Sequence, residues 1–231
     1  MLDNPVTPRP TLLRSPARFR RIATGTLLIL APLLALVAVV VDPGTWGDDR
    51  ETVSYGANPA MAQLESVLYH WSWLLTALAV IGMLRLLSRK WVVFGHVVGA
   101  LTVLGAINLS AMMLTDPVEW WFGQHYPPAE AERLTEEMLR LPGTTFGYQV
   151  PWMFFAVFGV PLLVVAVWRA GFAHWWVPLA AVVAYLGFMF VPYGPASVAL
   201  MVLAVLALGT IGLRVLRMPE LEWESLPTGS R

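Results

Sequence analysis

The sequence predicts an all-α, polytopic membrane protein built as a bundle of six transmembrane helices. Two observations carry the fold class and a third orients it. The 231-residue chain is 57% hydrophobic and only 13% charged, with a mean hydropathy of +0.64. A soluble domain is about 45–50% apolar and about 25% charged. Six apolar stretches also approach the ~20 residues that a transmembrane helix needs, at about 22–41, 66–87, 91–114, 148–168, 175–191 and 195–213. The third observation is the distribution of Lys and Arg. With the N-terminus inside, twelve of the fifteen basic residues fall on the cytoplasmic side and only Arg50, Arg133 and Arg140 fall outside. That bias sets the orientation as N-in and C-in.

The first span is uncharged over 20 residues and ends in Val41-Asp42-Pro43. It exceeds the ~7–15 residues of a secretory h-region and lacks a small-residue cleavage site, so it reads as a retained helix. The second carries His70 inside and Arg85 near its end, and the third carries His96. The last two are joined by a tight turn through Tyr193-Gly194-Pro195 into a short third hairpin. Residues 1–21 form a basic, Pro-rich cytoplasmic tail, 22–218 the transmembrane domain, and 219–231 a short polar cytoplasmic tail. Tryptophans at both boundaries suit membrane–water interfaces.

Two outer loops remain, 42–65 and 115–147. Both open on D-P-x-x-W, at Asp42 and at Asp116, and both later carry P-A-x-A, at Pro59 and at Pro128. This suggests that spans one–two and three–four are two copies of one hairpin. Asn58 and Pro59 mark a helix start, so one helix is expected over 59–87. Residues 127–141 place Ala131, Leu134 and Met138 on one face and acids on the other, as an amphipathic surface helix does. Eleven outer acids against three bases leave that side at −8. Loop solubility explains such a balance, and so does attraction of a cation. Gly95 and Gly99 form G-x-x-x-G, which lets helix backbones approach, and Gly105 and Gly212 can serve the same end.

Zero net charge removes a nucleic-acid field, and the absence of Cys removes thiol, disulfide and Cys-ligated metal chemistry. No Walker loop, H-E-x-x-H or G-x-S-x-G occurs, and Lys90, the sole lysine, lies at a boundary. No cofactor, metal or catalytic residue is therefore expected. His70 lies ~9 Å outside the midplane and His96 ~10 Å inside it, too far apart to share a metal. His96 is expected buried against a hydroxyl near Arg85, Thr24 and Thr210.

Polar groups inside a membrane are the best functional pointers. Glu65, Ser66, Tyr69 and His70 crowd the outer end of span two, and Asn108 and Ser110 share their depth. The expected ligand-binding residues are Glu65, Tyr69, His70 and Asn108. The expected role is non-enzymatic binding, transport or sensing of a small polar or cationic solute through an outward-facing polar pocket. The alternatives are an accessory subunit that docks a membrane-protein partner or a second copy, and an enzyme that uses Glu65 and His70 on a lipid-linked substrate. The expected location is a bacterial cell membrane. In span count the layout is similar to substrate-capture subunits of vitamin transporters, a likeness of architecture alone.

The charge bias makes the orientation testable. Single cysteines at Ser15 and Thr228 are expected to resist an impermeant thiol reagent in intact cells, and one at Thr52 to react. Labelling of either terminus from outside overturns the orientation.

Overall fold

A computed structural model of the chain describes residues 15–46, 51–113, 115–191 and 194–226. The N-terminal tail up to residue 14, the loop acids at 48 and 49, Arg50, Tyr193 of the tight turn and the tail beyond 226 lie outside the described residues. Every element described is helical, with no strand among them.

Helix α1 (Pro16–Val41) starts at Ser15, whose hydroxyl accepts the Arg18 N–H at 3.3 Å, with Pro16 in the first turn. The Asp42 carboxylate accepts the Gly44 N–H at 2.7 Å and turns the chain into the single turn α2 (Pro43–Trp46). Next come α3 (Glu51–Ala57) and α4 (Pro59–Met83), which tightens into a 3₁₀ turn over Leu84–Leu86. This matches the helix read over 59–87. Asn58 does not cap α4 with its side chain. Its amide donates back to Ser54 O at 3.1 Å, so it closes α3 instead.

A second 3₁₀ turn (Arg89–Trp91) leads into α5 (Val92–Met112), and α6 (Thr115–His125) and α7 (Pro128–Leu139) follow. A single turn α8 (Pro142–Thr144) precedes two π-helical stretches, Thr145–Gln149 and Trp152–Val157, and then α9 (Phe158–Arg169). Helices α10 (Trp176–Phe190), α11 (Pro195–Arg217) and α12 (Glu220–Ser225) complete the chain. Five runs are long and apolar enough to cross a membrane: Pro16–Val41, Pro59–Leu86, Arg89–His125, Pro142–Arg169 and Pro195–Arg217. Helix α10 is equally apolar but has 15 residues, about 22 Å of helix. The chain is thus a helical, multi-pass membrane protein.

Helix α1 is central, packed on α4 and α11; α5 lies against α4 and the second π-helical stretch; α10 lies between α9 and α11. Small residues set the closest approaches. A Cβ on Gly212 would stand 2.7 Å from Gly25 O, and one on Gly25 would stand 2.9 Å from Gly212 O. Gly105 meets the Phe155–Ala156 backbone in the same way. Gly95 and Gly99 do not meet another spanning backbone; they receive the side chains of Leu87 and Leu84 from the turn after α4. Those two glycines face inward, and His96 is rotated ~100° from Gly95 and ~60° from Gly99 around the helix. It is exposed and contacts Val92 O at 2.7 Å in its own helix, contrary to the buried, hydroxyl-bonded imidazole expected from sequence.

The main apolar core fills the half of the bundle nearest the described ends of the chain. It includes Leu28, Met83, Leu163, Val164, Leu208 and Ile211. Trp223, which reads as part of a polar tail, belongs to this core at 1% exposure. Helix α12 folds back beneath the bundle. There Arg85 donates to Trp223 O at 3.0 Å and lies 5.3 Å from the indole centre. Arg21 similarly donates to Leu216 O at 2.8 Å and to Met218 O. At the opposite end α3, α6 and α7 form a roof. Gly56 and Gly123 bring α3 and α6 into backbone contact. Helix α7 buries Ala131 and Thr135 and pairs Arg133 with Glu137 at 2.6 Å and Arg140 with Glu136 at 2.9 Å on its exposed face.

Overpacking a closed backbone contact costs about 1–3 kcal/mol. Gly212→Leu is therefore expected to lower the thermal unfolding midpoint in detergent. Gly143→Leu, at a glycine with nothing within 4 Å, is expected to leave it unchanged. Equal midpoints for the two variants would contradict this packing.

Candidate functional site

Between the main core and the roof lies a cavity of ≈ 310 Å³. Its walls come from α1, α4, α5, α10, α11 and the second π-helical stretch, and its ceiling from α3, α6 and α7. The heptad-like spacing of Glu65, Tyr69, Ser72 and Thr76 puts all four on one face of α4, and all four line the cavity. Residues three and four apart on a helix are neighbours, so one stripe supplies an acid, a phenol and two hydroxyls. The hydroxyls are internally satisfied. Ser72 donates to Ala31 O of α1 and Thr76 to Ser72 O, both at 2.9 Å.

The roof adds two more acids, Asp116 and Glu119, and Tyr55. Glu65 is 1% exposed, and Glu119 and Tyr55 are also buried. Reading the outer acids as loop solubilisers therefore fails for Glu65, Glu119 and Asp42. No Lys, Arg or His is among the described residues that line the cavity. Its other surfaces are aromatic (Trp73, Trp152, Tyr185, Phe188) and thioether (Met112, Met113, Met189, Met201). Trp152 is on a π-helical turn, a geometry frequent at functional sites. Its buried indole Nε1 has no hydrogen-bond partner among the described residues.

His70 does not join Glu65. One position beyond Tyr69 on α4, it faces a second hollow, a groove of ≈ 610 Å³ between α4, the end of α5 and α6. Its Nδ1 is 2.8 Å from Ser110 Oγ, and its ring packs edge-on against Trp71. Ser66 shares the groove and donates to Met113 O at 2.5 Å. Asn108 lines neither hollow. Its amide donates to Leu104 O at 3.2 Å within α5. Of the four residues singled out by sequence, the structure brings Glu65 and Tyr69 together and places His70 and Asn108 elsewhere. Glu65 and His70 line different hollows, which leaves them without the shared site an acid–base pair needs.

Sequence reasoning missed Asp116, Glu119, Tyr55, Trp73, Trp152 and Tyr185. One signal was available: Asp116 and Glu119 follow a span directly, beside the interfacial Trp120. The described residues contain no group of three or more His, Asp or Glu placed to hold a metal ion. No family model, curated protein sequence or solved structure matches the chain.

Proposed function

We propose that the chain is a six-span, N-in/C-in protein of the bacterial cell membrane that binds a small organic cation for capture, transport or sensing. In this reading α10 supplies the sixth crossing. The solute occupies the interior cavity. The observation that carries the reading is the cavity's composition: three acids, a shell of aromatic rings and no basic residue.

A wall that carries three acids, with no basic residue among its described lining, favours a positively charged ligand. Aromatic faces attract the same ligand, at about 0.5–1 kcal/mol when exposed and about 2 or more when desolvated. A quaternary or tertiary ammonium matches both features, because its charge is spread over an apolar surface and it demands few hydrogen bonds. A small inorganic ion would leave the aromatic wall unused. The cavity volume lies at the lower end of ligand pockets, about 300–1,000 Å³, which suits a ligand with one ring or a short chain.

Phenyltrimethylammonium is a suitable probe. Equilibrium binding to the purified protein is expected to be saturable and stronger than for an uncharged aromatic of the same size. Glu65→Gln and Glu119→Gln should each weaken it by tenfold or more, while Glu137→Gln on the exposed face of α7 should not. Equal binding of charged and uncharged probes, or no loss in the two cavity variants, overturns the cation reading.

A further inference from the structure

The geometry points to a lateral route into the cavity: the solute is an amphiphilic ammonium that enters from the outer half of the bilayer through the groove beside His70, past the side chain of Met113. This rests on the interior cavity being a cation site and adds the ligand's source and path.

Four observations support it. On the side of the roof, the described parts of α3, α6 and α7 lie over the cavity, and the backbones of α3 and α6 touch at Gly56 and Gly123. The groove, in contrast, opens on the flank of α4, where Val67 is 54% and Trp71 52% exposed. Val67 and Trp71 continue an exposed apolar stripe with Leu64, Leu78 and Ile81 on a helix long and apolar enough to cross a membrane, so the flank faces lipid.

Third, Met113 lines both hollows and stands between them. Its backbone is held, since Met113 O accepts the Ser66 hydroxyl at 2.5 Å, and the neighbouring Ser110–His70 contact ties α5 to α4 a turn away. The side chain alone can then act as the gate. Methionine suits that part, being unbranched, with three rotatable bonds and a polarizable sulfur. Opening needs a rotamer change and no separation of helices.

Fourth, the groove is nearly all apolar or aromatic around His70, Ser66, Ser110 and Gln63, and it carries no charged residue. An alkyl chain is accommodated there while the charged head moves inward to Glu65 and Glu119. An ammonium without an apolar tail gains nothing from this path.

The test uses the full-length protein in phospholipid nanodiscs with octyltrimethylammonium as the probe, and reads association and dissociation rates separately. Val67→Trp fills the groove without touching the cavity. It is expected to slow both rates at least tenfold while leaving Kd within threefold, because an obstruction on the path changes rates and not end states. Met113→Ala is expected to accelerate both rates, and it covers the case in which the bulkier variant fails to insert. Unchanged rates in a Val67→Trp protein that still binds the probe overturn the lateral route and leave the cavity reading intact. Loss of all saturable binding in the unmodified protein overturns both.

Discussion

Lipid offers no hydrogen bonds, and most of this structure follows from that single deficit. Backbone groups in a bilayer must be satisfied internally, and every described element of regular structure is helical. Side-chain donors obey the same rule. Ser72 reaches Ala31 O on α1, Ser66 reaches Met113 O at the end of α5, and Thr102 returns to Val98 O in its own helix. At the other end of the bundle the arginines bond to carbonyls freed where helices stop. Arg214 donates to Phe172 O at 2.6 Å, Arg85 to Trp223 O and Arg21 to Leu216 O. These contacts need a cation at the edge of the membrane and a helix end beside it. The basic end of the bundle therefore closes its own helix ends.

The same deficit makes Glu65 and Glu119 informative. A carboxyl group on a transmembrane face has nowhere cheap to go except a hydrated mouth, a partner or a ligand. Both are buried and line a cavity that also holds Asp116, the Ser72 and Thr76 hydroxyls, aromatic rings and thioethers. Packing elsewhere is tight enough that glycines touch opposing backbones, so the hollow is not a general looseness of the bundle. The π-helical stretch and Pro32 both border it. Each interrupts a regular hydrogen-bond ladder, and each lets a helix depart from its straight course.

Much of the architecture was legible because period, length and charge are properties of contiguous residues. The helix at 59–87, the amphipathic helix at 127–141 and the close backbone approaches at Gly105 and Gly212 could be read that way. The site was only half legible. Glu65 and Tyr69 share a face by simple spacing, and that relation holds. Asn108 was grouped with them by depth alone, and depth says nothing about the azimuth of α5, which is set by Gly105 packing on Phe155 and Ala156. Asp116 and Glu119 come from a segment whose fold over the bundle depends on the contact between α3 and α6, a tertiary fact with no local signature. Trp223 hid for a similar reason: acids surround it in sequence, and only the return of α12 beneath Arg85 buries it.

Helix α4 shows how one sequence produces two hollows. Its outer half is polar at 65 and 66, and again at 69 and 70, and each pair straddles the boundary between two faces ~100° apart. The first members, with Ser72 and Thr76, line the interior cavity; the second members, with Gln63, Val67 and Trp71, line the groove. A single polar stripe would have made one site. Doubling it makes α4 a partition with polar groups on both sides, closed at its edge by Met113. Such a wall has a mechanical consequence. Ser66 and His70 tie α4 to α5 through Met113 O and Ser110, so the seam between the two helices is bridged by hydrogen bonds on the groove side and by the unbranched Met113 side chain between groove and cavity.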